Sequence, residues 1–503
     1  MLDKLRITAK NSFVYSLGNL ATKLVGLFLL PLYTKEFTIE EYGVVGLMDV
    51  TIRILVAILG LNLFNAFFRW YWDKDLAQKR DSLFFTVLVA VIIVASVISA
   101  VFVFFGDTLA NLLFENEKFS LVLKLAIVSA ATETICVIPF TLLRLQGKAG
   151  KFTTTSLIRL LVNVGLNVLL IVKLRLGIES IYIASIAGSI VFLLTLIPYM
   201  LKNLSFRFEF VILKSMLHYS VPLLLASITG IILSITDRYV IQFITGLGEV
   251  GTYSLGFKLA NTIRFLIIMP INMAVLPLFY KIIGEEGSKR FYARFTTYYT
   301  FLVGITVLGM SLFAEYVVKL FAQSSDYYSS YLVVPFLSFG ILFGMLKDMS
   351  LTGLHIRRQT GNIAIITITM ALLNLGLNIL LIPRFKGVGA SVATLIVQFL
   401  FFVIVLIVAQ KRYHIPYEIR RIVIIAINIV VLFIISKLFS GFSMPVKLIL
   451  NFILILVYPL TLFLAGFYED REFAGILGFI RKWKNPARWK DELVKLAQIK
   501  EDE

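Results

Sequence analysis

The 503-residue chain holds one cysteine, Cys136, and three scattered histidines, His218, His355 and His414. One cysteine excludes an internal disulfide, and without a Cys/His cluster no zinc or haem signature exists, so neither a metal nor a cofactor is expected. Charge is scarce as well: 16% of residues are Asp, Glu, Lys or Arg, and acids are the scarcer sign, 30 against 48 bases. No P-loop is present, which removes an internal ATPase. The run Gly246-Leu-Gly248-Glu-Val-Gly251 formally matches the dinucleotide fingerprint, but no strand or βαβ unit precedes it, so it reads as a tight turn between two apolar runs. What the chain does have is hydrocarbon: 59% hydrophobic residues and a mean hydropathy of +0.90. A water-soluble globule is excluded, and the total suits fourteen membrane spans of about 20 to 22 residues each.

Apolar runs fall at 12–33, 43–66, 82–105, 119–143, 152–173 and 178–200, then at 218–243, 252–279, 292–314, 328–350, 361–383 and 388–410, with a last pair at 419–439 and 446–467. Lipid demands internally satisfied backbone, and these runs are about twice the length of a barrel strand, so they are helices. Of the 48 Lys and Arg, 32 lie on the side of the N-terminus, 9 on the opposite side and 7 inside the spans. Cytoplasmic loops carry the excess of positive charge, which places both termini in the cytoplasm. The net charge of +18 therefore points first to anionic lipid and not to nucleic acid. The segment 469–503 carries apolar residues at helical spacing beside Lys and Arg, the pattern of an amphipathic cytoplasmic tail.

The sequence repeats itself at an offset of 211. Asn163-Val-Gly-Leu-Asn-Val-Leu-Leu-Ile171 aligns with Asn374-Leu-Gly-Leu-Asn-Ile-Leu-Leu-Ile382, and the same offset lays Tyr42 on Tyr253 and Thr51-Ile-Arg53 on Thr262-Ile-Arg264. Six helices shifted onto six keep their orientation, so the expected fold is all-α and polytopic, with about 14 transmembrane helices in two pseudo-symmetric six-helix lobes and two C-terminal helices. The expected divisions are an N-lobe at 1–210, a C-lobe at 211–415, the added pair at 416–468 and the tail at 469–503. Two-lobed repeats of this kind place a substrate between the lobes and rock one against the other.

Seven cations, Lys23, Arg53, Lys124, Arg159, Arg238, Lys258 and Arg264, lie within spans, against three acids, Asp49, Glu133 and Asp237. A charge at the bilayer centre costs about 2.5–3.5 kcal/mol on insertion scales, so most of these face a polar interior. Lys124 and Lys258 lie near span ends and read as snorkelling to headgroups. Lys23, Arg53, Arg159 and Arg264, with Arg238, are the candidate anion-binding set. Asn19, Asn163, Asn167 and Ser234 recur at helical steps on the same faces and are candidates to line the cavity. Asp237, Glu133 or Asp49 is the candidate for coupling to an ion; Asp49, four residues before Arg53, also reads as its ion-pair partner. A guanidinium fork suits phosphate oxygens, so the expected guest is a phosphate or pyrophosphate head whose lipid stays in the bilayer.

The segments Tyr15-Ser-Leu-Gly-Asn-Leu, Leu30-Pro-Leu-Tyr33-Thr, Glu40-Glu-Tyr42-Gly, Asp237-Arg-Tyr239 and Gly251-Thr-Tyr-Ser-Leu-Gly256 resemble the polysaccharide-transporter branch of the multidrug/oligosaccharidyl-lipid/polysaccharide exporter superfamily, which includes the Wzx-type O-antigen flippases. The resemblance covers roughly 1–415. It implies alternating access by two six-helix lobes, and export of undecaprenyl-pyrophosphate-linked oligosaccharide across the bacterial inner membrane for O-antigen, capsule or exopolysaccharide synthesis. A polysaccharide polymerase and a chain-length regulator are the partners it implies. Related lipid II flippases use basic residues on spans 1, 2 and 8, and the matching positions here are Lys23, Arg53 and Arg264. The alternatives are a lipid II flippase of peptidoglycan synthesis, a cation-coupled multidrug extruder of the same fold and, least favoured, a membrane-bound transferase.

Overall fold

The computed structural model describes residues 26–114, 116–357, 359–469 and 472. The first described helix is α1 (Leu30–Glu36), and the predicted tail lies outside the described residues apart from its first few positions. Then follow α2 (Ile39–Gly60), α3 (Leu63–Tyr71), α4 (Arg80–Phe104), α5 (Gly106–Phe114), α6 (Ser120–Leu145), α7 (Ala149–Val168), α8 (Glu179–Lys202) and α9 (Phe210–Thr245). The second series is α10 (Leu247–Ala260), α11 (Met269–Lys281), α12 (Ser288–Leu312), α13 (Ala314–Phe321), α14 (Val334–Ile356) and α15 (Thr360–Arg412), and the chain continues with α16 (Ile419–Lys437) and α17 (Met444–Leu464). Among the described residues there is no strand, as lipid solvation of the backbone requires of an open chain.

Eleven described helical stretches are long and apolar enough to cross a membrane. One of them, Gly361–Arg412, is about twice the length a single crossing uses, and it turns at Lys386 (φ 50°, ψ −133°). Past that turn the chain comes back on itself, with Gly389 against the Leu381 carbonyl. Two crossings there and the 36-residue α9 bring the spans among the described residues to thirteen, and the first expected span, 12–33, lies mostly outside them.

Contacts divide the chain into two units, one of residues 1–292 with 313–415 and one of residues 293–312 with 416–503. In the smaller unit, α16 and α17 pack with the second part of α12. Asn451 donates to the Leu312 carbonyl (2.9 Å) and Tyr458 to that of Phe301 (3.2 Å). At one end the buried Arg421 donates to the Phe467 carbonyl (2.8 Å), to Glu418 (3.1 Å) and to Glu472, whose carboxylate also accepts from the Tyr298 hydroxyl.

In the larger unit the two predicted lobes meet where α2 crosses α10. Thr38 caps α2 in a reciprocal box with Glu41, its Oγ1 accepting from the Glu41 amide (3.2 Å) and its amide donating to Glu41 Oε2 (3.0 Å). Just inside that cap, glycine is required for close approach: a Cβ at Gly43 would run into the Leu247 carbonyl, and one at Gly251 into that of Ile39. Polar contacts join the lobes at the same end. Tyr327 donates to the Phe37 and Thr38 carbonyls (3.0 and 2.9 Å), and Thr34 to the Phe321 carbonyl (2.9 Å). The lobes are therefore shut at this end, here called the far face, opposite the loops that carry most of the Lys and Arg.

Of the dinucleotide-like run only Gly246 (φ 91°) forms the expected turn between α9 and α10, and Leu247 to Gly251 are already the opening of α10. A second break is less ordinary: α2 stops and α3 starts at Leu61 (φ 46°) and Asn62 (φ 53°), two successive left-handed residues with side chains. Such positions hold strain of about 1–3 kcal/mol each and persist where the surroundings fix them.

Candidate functional site

Asp237, on α9, is buried and surrounded by donors. Its Oδ2 accepts from the Tyr253 hydroxyl (2.7 Å) and from Thr394 Oγ1 (2.9 Å), and its Oδ1 from Asn378 Nδ2 (2.7 Å). Asn378 Nδ2 also reaches Asn374 Oδ1 (3.1 Å), while Asn378 Oδ1 has no partner among the described residues. A buried carboxylate must be paired or hydrogen-bonded, and here three neutral donors from α10 and α15 do that work. The knot borders a cavity of about 110 Å³ in the second lobe, also lined by Asn261, Arg264, Lys347, Asp348 and Gln398. Lys347 and Asp348 are 3.1 Å apart.

The first lobe contains a related knot built from the repeat. Asn163 and Asn167 on α7 are the counterparts of Asn374 and Asn378. Asn167 is buried, donates to the Asn163 carbonyl (2.9 Å) and accepts from the Tyr33 hydroxyl (3.1 Å). No carboxylate enters this set, and the Lys258 ammonium lies over the Tyr33 ring (5.9 Å).

Arg238 follows Asp237 in sequence but leaves α9 about 100° further round, so the two point into different surroundings. Its guanidinium lies over the Phe257 ring (4.5 Å) and approaches the Gly46 carbonyl of the other lobe (3.4 Å), with Nε unpartnered among the described residues. Arg53 and Arg264 are both exposed. They open onto different cavities, Arg53 onto one of about 400 Å³ against the first lobe and Arg264 onto the polar 110 Å³ one. Their backbones differ too: Arg264 begins a π-turn, Arg264–Ile268, whereas Arg53 lies in regular α-helix. π-turns inside helices are rare and concentrate at functional sites.

Arg159 is half-buried between α7 and α8 and donates to Ser189 Oγ (3.0 Å). Glu133 is half-buried on α6, and Asp49 is exposed; among the described residues no ion pair joins Asp49 to Arg53. Lys124 reaches out of its span to Asp107 on α5, 2.8 Å from both carboxylate oxygens. Lys23 and Asn19 lie outside the described residues, as does the side chain of Ser234. The residues that sequence reasoning did not single out are Tyr253, Thr394, Asn374 and Asn378 around Asp237, and Tyr33 beside Asn167. Asn374 and Asn378 were visible as the repeat mates of Asn163 and Asn167. Thr394 had no signal, because only the turn at Lys386 brings it to Asp237. Among the described residues no group of three or more His, Cys, Asp or Glu side chains is placed to hold a metal.

Comparison with known proteins places this geometry. The family of polysaccharide biosynthesis proteins matches residues 8–283, more than half of the chain. No curated protein sequence matches. Among solved structures, a lipid II flippase, MurJ, in an inward closed conformation superposes with a TM-score of 0.72 at 16% identity, covering 89% of this chain and 98% of its own. An inward-facing multidrug-resistance transporter of the MATE family gives 0.64 at 17%, covering 79% and 94%. A Vibrio cholerae MATE transporter gives 0.59 at 15%, covering 82% and 98%. The fold is that of these transporters, and the sequence match extends over both the α2–α10 crossing and Asp237. The chain is thus a multi-pass membrane protein that belongs to the polysaccharide biosynthesis protein family and has the fold of these transporters.

Proposed function

We propose that the protein is a flippase that carries polyprenyl-pyrophosphate-linked oligosaccharide units from the cytoplasmic to the outer leaflet of the bacterial inner membrane, with both termini cytoplasmic. The observation that carries this reading is the pair Arg53 and Arg264, related by the 211-residue repeat, exposed at mid-span and engaged by no carboxylate among the described residues. An unneutralised arginine in lipid is costly, and each of the two, at the mouth of its own cavity, calls for an anion. Arg53 and Arg264 take the pyrophosphate from opposite lobes, with Lys23, Arg238 and Arg159 in support. Closure of the far face at the α2–α10 crossing leaves the site reachable from the basic face, the side where the loaded carrier is made. Asp237 is the coupling group. Its carboxylate and the unpartnered Asn378 Oδ1 offer oxygens to a monovalent cation or a proton, and filling or emptying this knot biases the packing of α9 on α10 and α15.

Replacing Arg53 and Arg264 by Ala tests the reading. Surface glycan export is lost while the protein stays at its normal abundance in the membrane. Export that continues unchanged removes the proposed site. The likeness to MurJ supports a second reading, lipid II as cargo, which shares the pyrophosphate head. Depletion separates the two: loss of surface polysaccharide in a viable cell supports the first, and lysis supports the second. A drug extruder for organic cations would need acids to outnumber bases in the spans, the reverse of seven to three.

A further inference from the structure

The 400 Å³ cavity beside Arg53 is within the roughly 300–1,000 Å³ range of small-ligand sites, and its walls are unlike those of the polar cavity beside Arg264. From Arg53 it runs along Val56, Ala57 and Gly60 of α2 to Val137 and Ile138 of α6, with Leu224 and Ile231 of α9 across from them. Beyond Arg53 its polar groups are few, and each makes a bond within its own helix or at the helix break. Thr134 Oγ1 donates to the Ala130 carbonyl (2.7 Å), Ser227 Oγ to that of Leu223 (2.9 Å), and Asn65 Nδ2 to Asn62 Oδ1 (2.7 Å) at the helix break. Sugar hydroxyls placed here would lose water and gain few partners. Hydrocarbon would not.

We propose that this cavity holds the first isoprene units of the carrier lipid, the part bonded directly to the pyrophosphate. The inference rests on Arg53 taking that pyrophosphate. One turn of α2 separates the guanidinium from bare Val and Ala walls, so the occupant must change from anion to hydrocarbon within a few ångströms. A prenyl pyrophosphate does so at its first carbon. A glycerophospholipid places ester carbonyls in between, which would be buried here without donors. The glycan, on the other side of the pyrophosphate, is left to the polar second lobe.

The test measures binding of farnesyl pyrophosphate and of inorganic pyrophosphate to the purified full chain in nanodiscs. The wild type prefers the farnesyl ligand by about tenfold or more, the effect of burying only two or so methylene groups. Ala57→Phe, and independently Val137→Phe from the opposite wall, fill the cavity and bring that ratio close to one. A ratio that stays at the wild-type value in both variants overturns the proposal, as does equal displacement of the farnesyl ligand by phosphatidylglycerol. Arg53→Ala separates this failure from failure of the head-group reading. If it leaves inorganic pyrophosphate binding unchanged, Arg53 is not the pyrophosphate ligand and both ideas fall. If it abolishes that binding while the filled variants keep the ratio, only the prenyl pocket falls.

Discussion

In the first lobe Asn167 is bonded to a tyrosine and to Asn163, all neutral; in the second its repeat mate Asn378 is bonded to Asn374 and to the carboxylate of Asp237. The same helical step therefore closes two knots that differ by one charge. Around them the lobes diverge in the same sense. Arg53 sits in regular helix above an apolar cavity, and Arg264 opens a π-turn beside a polar one. The repeat thus relates two halves with unlike walls, one lined by hydrocarbon beside Arg53 and one polar around Asp237. An alternating-access device needs such inequality, because a ligand shifts an equilibrium only through differential affinity for its states.

The largest expected effect follows from removing that single charge. Asp237→Asn makes the second knot as neutral as the first, and glycan export falls to background while the folded protein persists, as measured by export alongside thermal unfolding. Export near the wild-type level would show that the charge difference between the knots is not what drives transport.

Next is the seam between the halves. Gly251→Ala forces a methyl group onto the Ile39 carbonyl, and overpacking of one or two kcal/mol changes a two-state ratio by a factor of about 5–30. A cysteine at Val56→Cys then reacts faster with an impermeant maleimide added from the far face, against a background in which the native Cys136 is buried. Unaltered labelling would mean that this crossing is not the barrier. Tyr33→Phe sharpens the contrast from the other side: the first knot loses one hydrogen bond, about 1 kcal/mol of stability, with export retained.

The smallest effect lies outside both knots. The Lys124 ammonium, then Ser120, hold the Asp107 carboxyl below its ordinary value of 3.8. A lowered folded-state value means that the contribution is complete above the ordinary value and is lost as pH falls through the folded one. Lys124→Ala should therefore melt slightly earlier than wild type at neutral pH, and the gap should close on acidification. The pair is exposed, so the gap is small.

Much of this comparison was legible before any coordinates. Hydropathy alone gave the spans, since lipid allows few alternatives, and the 211 offset placed Asn163 on Asn374 and Arg53 on Arg264. The identity of Asp237's partners was not legible: a break between the spans 361–383 and 388–410 was expected, but spacing along a helix does not say that Asn378 before the Lys386 turn and Thr394 after it both face Asp237. The split of the arginines between two cavities was hidden for a similar reason. Spacing along a helix says which residues share a face, but the neighbouring helix decides how much empty space that face meets.

The cluster at Arg421 sets where the chain can be shortened. Its guanidinium is buried at the start of α16, bonded to the Phe467 carbonyl just past α17, and draws one of its carboxylates from Glu472, beyond the last crossing. A stop codon placed after Leu464, where hydropathy ends, would strand that cation and unseat Tyr298 with it. A reporter or affinity tag belongs after Glu472, where α16 and α17 keep their clasp.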